Sequence, residues 1–342
     1  MSKTYDIAIA GATGAVGEAL LQILEQRKFP VGTLFPLASE RSIGRTVKFC
    51  GEDLQVQLLN DFDFRQVQLG LFSAGAAVSA EIVPRAVEAG AVVIDNTSQF
   101  HYDDDVPLVV PECNAGRIAN YVQRGIIANP NCSTIQLVVA LKPIQDAVGI
   151  ERINVSTYQA VSGAGRRAIE TLTVQTHAVL SGDDPVTDPD AEKSVVFNVV
   201  PKIDRLLDNG FTKEEMKMYH ETKKIMNSDI DVSATCVRVP VMRAHSESIW
   251  CETEKPVSPA EFRKACEATE GITVLDDLPN LGYPMPLDLA GKDDVYVGRI
   301  RKDLANPNGI TFWSVSDQIR KGAALNAVQI AEYLVENNLV KN

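Results

Sequence analysis

One cysteine of the sequence stands where a thiol can become a nucleophile. Cys132 follows Asn129-Pro130-Asn131 and precedes the apolar run 135–141, which is typical of a helix. Because Pro130 stops a helix from arriving from upstream, Cys132 is expected at or near a helix N-terminus. Unpaired backbone N–H groups there favour negative charge, which predicts a lowered thiol pKa and a site for an oxyanion. A buried, inert cysteine is the alternative.

An activated thiol of this kind adds to a carbonyl carbon, and the reaction needs a group that exchanges protons near neutral pH. Histidine suits that role, and the chain contains four, at 101, 177, 220 and 245. His245 follows a predicted strand over 233–241 and is our candidate. A histidine that serves only packing or the surface is the alternative.

The start of the chain predicts a dinucleotide site. Residues 5–10 form a short apolar run typical of a buried strand, GATGAVG follows at 11–17, and residues 18–24 have helical spacing. Glycines let the backbone approach a pyrophosphate, and a helix N-terminus neutralises part of its charge. The spacing GxxGxxG departs from the common GxGxxG, so a plain strand–helix turn remains an alternative.

The second predicted strand, over 33–38, is followed by residues that bear on the choice of cofactor. Arg41 and Ser42 suit the 2′-phosphate of NADP, whereas Glu40 is the residue type that binds the free ribose hydroxyl of NAD. We favour NADP. For Arg41 a solvated charge in a loop is the alternative.

The remaining periodicity predicts two sheets of different kinds. In the first part, strands over 69–73 and 91–95 flank a helix over 78–89, which indicates a doubly wound parallel sheet. After Cys132 the strands predict a mostly antiparallel sheet; they cover 152–160, 233–241, 294–301 and 310–315. Helices are predicted over 168–180, 212–226 and 321–336.

Composition limits the possible functions. The length of 342 residues favours two domains, and the net charge of −12 argues against non-specific nucleic-acid binding. No apolar stretch is long enough for a membrane span, and the N-terminus has no signal-peptide pattern. The six cysteines lack metal-ligand spacing, so we expect reduced thiols in the cytoplasm and no metal site. The acidic stretch 181–190 is predicted to be a surface loop.

Over nearly its full length the chain resembles the aspartate-semialdehyde dehydrogenases. The motifs that carry the resemblance are GATGAVG at 11–17, ASERSIG at 38–44, VPLVVPECN at 106–114, NPNCST at 129–134, YQAVSGAG at 158–165, FNVVPKID at 197–204, RVPVMRAHS at 238–246, VGRIRKD at 297–303 and KGAALNAVQIAE at 321–332.

The resemblance implies an architecture and an activity. It implies a Rossmann-like NADP-binding domain over 1–130, completed by the C-terminal helix 321–342, and an α+β catalytic and dimerisation domain over 131–320. The implied reaction is NADPH-dependent reduction of L-4-aspartyl phosphate to L-aspartate 4-semialdehyde and phosphate through a thioester on Cys132. This step would serve lysine (diaminopimelate), threonine, methionine and isoleucine biosynthesis, in a cytoplasmic homodimer or higher homo-oligomer.

The resemblance also implies residue roles. Cys132 would be the nucleophile and His245 the acid/base. The residues implied to bind the acyl substrate are Gln159, Arg238 and Glu214. Those implied to bind phosphate are Lys217, Asn131 and His101. Those implied to contact NADP are Gly11, Thr13, Gly14, Ala15, Val16, Arg41, Ser42, Ser162, Gly163 and Gln318.

One residue departs from the family pattern. After Ser98-Gln99-Phe100, where relatives carry an arginine, this chain has His101, whose imidazole is charged only part of the time near neutral pH. We therefore expect a weaker or pH-sensitive phosphate site. Three other functions remain open from the sequence: N-acetyl-glutamyl-phosphate reductase, a non-catalytic paralogue of the same fold, and a cysteine hydrolase.

Overall fold

The computed structural model describes residues 3–185 and 193–340. The chain divides into two compact units, one formed by residues 1–131 and 322–342 and the other by residues 132–321. Each unit is built on a six-stranded sheet. Of the predicted acidic loop, residues 186–190 lie outside the described part of the chain. No helix in the described ranges is long and apolar enough to cross a membrane.

The first unit alternates strands and helices. Its strands are β1 (Tyr5–Ala10), β2 (Val31–Ala38), β3 (Thr46–Phe49), β4 (Glu52–Gln55), β5 (Gln57–Leu58), β6 (Leu69–Phe72), β7 (Val92–Asp95) and β8 (Ile126–Ala128). Its helices before Cys132 are α1 (Ala15–Gln26), α2 (Ala76–Glu88) and α3 (Pro111–Asn114). Every neighbouring pair in the order β5-β2-β1-β6-β7-β8 is parallel, which confirms the predicted Rossmann-like sheet.

Close backbone contacts explain two of the glycines after β1. Gly11 has a φ of +85°, and a Cβ there would lie 2.5 Å from the Ser73 carbonyl oxygen. A Cβ on Gly17 would lie 2.2 Å from the Gly11 carbonyl oxygen. Larger residues at either position would therefore push α1 away from the carboxyl ends of β1 and β6.

The second unit combines a mixed sheet with helices. Its strands are β9 (Ile150–Gln159), β10 (Asp231–Arg238), β11 (His245–Thr253), β12 (Ile272–Val274), β13 (Val295–Lys302) and β14 (Gly309–Ser316). Its helices are α4 (Cys132–Val148), α5 (Arg166–Leu180), α6 (Lys213–Met226), α7 (Pro259–Glu267) and α8 (Pro286–Leu289). A π-helical turn, Arg320–Ala324, leads into α9 (Leu325–Glu336), which belongs to the first unit.

The sheet of the second unit has the order β10-β9-β11-β14-β13-β12. The three inner pairs are antiparallel, as predicted, and the outer pairs β10–β9 and β12–β13 are parallel. The sequence analysis missed β11, because polar residues such as His245 and Glu247 occupy its buried face. The strand predicted over 233–241 ends earlier, at Arg238, two residues before Pro240.

Helices α4 and α6 cover the face of this sheet that holds the candidate site. Helix α4 packs on β9, β11, β13 and β14, and α6 packs on β10 and α4. Thr212 and Glu215 form a capping box that begins α6. The Glu215 carboxylate also accepts a hydrogen bond from the Cys236 backbone N–H at 3.0 Å. This contact connects the first turn of α6 to β10. It therefore fixes the position of α6 along the strand.

Candidate active site

Cys132 is the first residue of α4, as the sequence predicts, and its thiol is free. The residue is partly exposed, whereas the nine residues that follow it in α4 are buried. The residue therefore lies at the edge of a densely packed region, with its thiol turned inward. Its backbone setting is the one expected for a nucleophile that uses helix N–H groups.

The sequence predicts a lowered pKa for this thiol, and that direction is wrong. The pKa of Cys132 is raised to about 12, first by burial and then by the negative charge of Glu214. Arg238, Lys217 and the backbone N–H of Ser133 lower it, but not enough to compensate. The sequence argument considered only the helix N-terminus, whose influence is smaller here than the desolvation of a thiolate.

A hydrogen-bonded network joins β9 to α6. The Gln159 side chain, at the end of β9, accepts a hydrogen bond from the Thr157 hydroxyl at 2.9 Å and donates one to Glu214 at 3.1 Å. The other Glu214 oxygen accepts from the Lys217 ammonium at 2.9 Å, and Asp204 lies 3.4 Å from that ammonium. Burial works against the charge of Lys217, but the Glu214 carboxylate holds the pKa of Lys217 above its ordinary value.

Ala160 anchors two further predicted residues through its backbone. Its N–H donates to His245 Nδ1 at 3.0 Å, and its carbonyl oxygen accepts from Arg238 Nη1 at 2.7 Å. Burial, reinforced by the positive charge of Arg238, puts the pKa of His245 well below its ordinary value. Burial also lowers the pKa of Arg238, although a guanidinium remains charged at any physiological pH. His245 is therefore a neutral imidazole at neutral pH.

Gly163 borders these same groups. A Cβ on Gly163 would lie 3.2 Å from His245 Nε2 and 3.3 Å from Arg238 Nη1. Gly163 itself is exposed. The imidazole, the guanidinium and the backbone of Gly163 therefore lie close together.

Gln318 connects the two segments that flank this space. Its carbonyl oxygen accepts from the Ala244 N–H at 2.8 Å, and its amide nitrogen donates to the Ser162 hydroxyl. Ala244 has a φ of +72°, and it directly precedes His245. Gln318 and Ser162, predicted as cofactor contacts, therefore also fix the backbone that precedes His245.

In the first unit, four of the predicted cofactor residues line a cavity of about 640 Å³ at the carboxyl ends of the strands. Gly11, Thr13, Gly14 and Arg41 line it together with Glu40. The Ser42 hydroxyl lies 3.0 Å from that of Thr13, and Ala15 and Val16 open α1, whose N-cap is Gly14. A glycine cradle beside a helix N-terminus fits the pyrophosphate of a dinucleotide.

The predicted phosphate residues are divided between the two units. Lys217 belongs to the second unit, whereas His101 and Asn131 belong to the first. His101 is buried and acts electrostatically on Asp95, whose pKa is raised by burial. Asn131 is partly exposed and directly precedes Cys132.

One residue behind the site, Glu247, was not predicted from the sequence. Glu247 stands opposite Thr157 of β9 and Ser314 of β14 in the strand register. Its side chain is fully buried, and its carboxyl oxygens have no hydrogen-bond partner among the described residues. Burial raises the pKa of Glu247 well above its ordinary value. The alternation of β11 would have shown this residue, had that strand been recognised.

Known proteins share both the fold and these sequence motifs. Residues 6–121 match the model of the semialdehyde dehydrogenase NAD binding domain, and residues 141–321 match that of the semialdehyde dehydrogenase dimerisation domain. The chain is therefore an oxidoreductase of the semialdehyde dehydrogenase class, with a domain for a nicotinamide cofactor. Among the described residues, no cluster of His, Cys, Asp and Glu has an arrangement that could hold a metal ion.

Individual relatives narrow the class. The aspartate-semialdehyde dehydrogenase of Legionella pneumophila is 54% identical over 100% of this chain and 99% of its own. The crystal structure of aspartate semialdehyde dehydrogenase II from Vibrio cholerae complexed with ASA has a TM-score of 0.96 and 52% identity, covering 98% of this chain and 99% of that one. That of the Candida albicans enzyme with NADP has a TM-score of 0.77 and 26% identity, covering 99% and 100%.

The chain belongs to the aspartate-semialdehyde dehydrogenase family. High identity over the full length favours this family over the N-acetyl-glutamyl-phosphate reductases, the main alternative from the sequence. The family places the protein among the enzymes of amino-acid biosynthesis.

The electrostatics of Cys132 generate a first prediction. Glu214→Gln removes the charge that raises the thiol pKa, so at pH 8 Cys132 should react several-fold faster with iodoacetamide. The rate is measured by mass spectrometry of the peptide that contains Cys132, since five other cysteines are present. Glu170→Gln, on the exposed side of α5, is the matched control. An unchanged or slower reaction in Glu214→Gln would contradict the assigned cause.

A second prediction concerns stability. The unfolded chain ionises Glu247 near pH 4.5, whereas the folded protein keeps this carboxyl protonated to higher pH. A rise in pH therefore favours unfolding by about 1.4 kcal/mol per unit until the folded pKa is reached. Glu247→Gln lacks this ionisation, so its stability relative to the wild type should be lowest near pH 4 and increase toward pH 7.

The measurement is the free energy of unfolding in urea at pH 4, 5.5 and 7. Glu151→Gln, an exposed change on β9, is the control and should show no such trend. A constant difference between Glu247→Gln and the wild type across this range would mean that Glu247 is ionised in the folded protein.

Proposed function

We propose that the protein reduces L-4-aspartyl phosphate to L-aspartate 4-semialdehyde and phosphate with NADPH, through a thioester on Cys132. The supporting observation is that Cys132, Gln159, Glu214, Lys217, Arg238 and His245 are held together within the second unit by direct contacts and mutual electrostatic effects. This reaction needs a nucleophile, a site that binds the acyl group and a cationic side chain that binds the phosphate. Lysine, threonine, methionine and isoleucine biosynthesis are the pathways that we expect it to supply, in the cytoplasm.

The charged groups suit the two ends of the aspartyl substrate. Arg238 binds the α-carboxylate in this proposal, because one arm of its guanidinium is fixed on the Ala160 carbonyl and the planar fork is thereby oriented. Glu214 binds the α-ammonium group, and Gln159 orients the acyl group beside the thiol. Lys217 binds the phosphate, with Asn131 and His101 as the proposed further ligands.

This arrangement couples substrate binding to the reactivity of the thiol. Glu214 is the charged group that raises the pKa of Cys132 most, after the effect of burial. A substrate ammonium paired with Glu214 offsets that charge, and Arg238 and Lys217 then dominate. The thiol therefore ionises more readily when the correct substrate is in place.

NADP is the proposed cofactor. The glycine turn at Gly11 and Gly14 would hold the pyrophosphate, and Arg41 and Ser42 would hold the 2′-phosphate. In the second unit, Ser162, Gly163 and Gln318 would contact the same cofactor. When bound, NADPH supplies the hydride that reduces the thioester to the aldehyde.

The match to a dimerisation domain supports homo-oligomerisation. We place the contact between two copies on the face of the second sheet opposite α4 and α6. Tyr158 is exposed on that face, and its ring lies 5.3 Å from that of Trp313. Aromatic residues of this kind are enriched at protein interfaces.

The experiment that tests the reaction is an assay of NADP reduction that requires both aspartate semialdehyde and phosphate. Cys132→Ser should retain less than about 1% of the wild-type rate, because a hydroxyl ionises far less readily than a thiol. NADPH binding, followed by fluorescence, should be unchanged in this variant. The control is Cys50→Ser, an exposed change. Substantial turnover by Cys132→Ser would exclude the thioester, and no wild-type reaction would exclude the proposed substrate.

Cofactor choice is tested at Arg41. Arg41→Ala should weaken NADP binding about tenfold or more and leave NAD binding nearly unchanged, because a charge-assisted bond to an ionised group contributes about 1.5–3 kcal/mol. The dissociation constants of both cofactors are measured by titration. Arg45→Ala, an exposed change outside the cavity, is the control. Equal losses for NADP and NAD would remove Arg41 from the 2′-phosphate.

A further inference from the structure

A second row of polar side chains lies behind the candidate site, buried in the sheet of the second unit. Gln159 and Arg238, which belong to the site, are paired in register at the ends of β9 and β10. Because side chains alternate between the faces of a sheet, the next row on the same face lies two residues further from the site. Its members are paired in register across β10, β9, β11 and β14, and all four are fully buried: Cys236, Thr157, Glu247 and Ser314. Buried polar groups cost stability unless they are hydrogen-bonded, so the contacts of this row are informative.

Thr157 is the member of this row that contacts the site. Its hydroxyl donates a hydrogen bond to the carbonyl oxygen, Oε1, of the Gln159 side chain at 2.9 Å. A hydroxyl has only one hydrogen to donate. Glu247, opposite Thr157, does not accept it, since neither carboxyl oxygen has a hydrogen-bond partner in the described part of the chain. On the other side Cys236 offers a sulfur atom, which is a weak acceptor. The hydrogen of Thr157 is therefore committed to Gln159.

The orientation of the Gln159 amide depends on this hydrogen bond. An amide group presents an oxygen on one side and an NH₂ group on the other, and half a turn exchanges them. On the side of α6 the amide meets Glu214, whose carboxylate is paired with Lys217 and only accepts hydrogen bonds. The NH₂ group must therefore face Glu214, and the oxygen must face Thr157. The amide then needs a donor at residue 157, and the hydroxyl is that donor.

We propose that Thr157 is a positioning residue, whose hydroxyl holds the Gln159 amide in the orientation that serves the acyl substrate. The inference rests on the proposed function for the identity of the substrate that Gln159 orients. Gln159 is buried, so without the hydroxyl its oxygen would lack a donor. Rotation of the amide would not repair this loss, because it would set the oxygen against the Glu214 carboxylate. Either arrangement disturbs the group that orients the acyl carbon beside the thiol.

Two substitutions separate the hydroxyl of Thr157 from the packing of its side chain. Thr157→Val keeps the branched shape and removes the donor, whereas Thr157→Ser keeps the donor and removes a methyl group. In the assay with aspartate semialdehyde, phosphate and NADP, Thr157→Val should lose about tenfold or more in kcat, because a misplaced positioning group slows the chemical step. Thr157→Ser should stay within about threefold of the wild type, since its hydroxyl still orients the amide. The KM for NADP should be unchanged in both variants.

Ser314→Ala is the matched control for these variants. It removes another buried hydroxyl of the same row, one that has no hydrogen-bond partner among the described residues. Its kcat and KM values should equal those of the wild type. A role of Thr157 in packing alone predicts that the Ser variant is slower than the Val variant. That order, a Val variant with the wild-type kcat, or a loss that falls on the KM for NADP would each overturn the proposal.

A double-mutant cycle tests whether Thr157 acts through Gln159. Gln159→Leu removes the amide, so the further change Thr157→Val should alter kcat by less than about twofold in that background. Two residues that act independently would instead give losses that multiply. Multiplied losses would show that Thr157 affects the reaction by another route and would overturn the proposal.

A signal that does not depend on turnover separates this inference from the proposed function. The full-length protein is labelled with ¹⁵N at glutamine, and the side-chain amide signal of Gln159 is assigned by its loss in Gln159→Leu. We expect this signal to shift in Thr157→Val and to keep its position in Thr157→Ser. A wild-type protein without turnover would refute the substrate assignment, while the signal would still report whether Thr157 holds the amide. An unmoved signal in Thr157→Val would overturn the inference even in an active protein.

Discussion

The backbone of Ala160 is the constraint on which the candidate site depends. Its N–H fixes the ring of His245 and its carbonyl fixes the guanidinium of Arg238, so the backbone of a single residue orients groups from the two strands beside β9. Because both contacts use the backbone of Ala160, substitution of the Ala160 side chain would not remove them. Each bond contributes about 1 kcal/mol of net stability, but its larger effect is to limit each functional group to one orientation.

The second constraint is electrostatic. Cys132 lies among two cations and one anion, and burial makes each charge more effective than it would be in water. The anion, Glu214, is itself held by Gln159 and Lys217. The helix N-terminus alone therefore does not set the state of the thiol. In the proposed reaction, that state depends on whether Glu214 faces Lys217 alone or also a substrate ammonium group, which would link the reactivity of the thiol to correct binding.

The sequence predicted those features that depend on local patterning. Short apolar runs, the glycine turn and Pro130 were enough to locate the parallel sheet and the start of α4 at Cys132. The sequence failed where buried positions are polar. Strand β11 was missed because His245 and Glu247 face the interior, where the strand pattern calls for apolar residues. Its pairing with β9 depends on contacts between distant parts of the chain, which a local pattern does not contain.

The same reasoning explains the wrong expectation for the thiol pKa. A helix N-terminus can be recognised in the sequence. Burial of the thiol and its proximity to Glu214 arise only from the packing of α6 against α4. The residues whose strand or protonation state the sequence does not reveal are thus those whose buried environment opposes their charged form. They are the acid Glu247, the uncharged His245 and the Cys132 thiol with its high pKa. Folding such groups into a core costs stability. Here the cost falls at Glu247 and His245, on the sheet face that holds Arg238 and Gln159 in place.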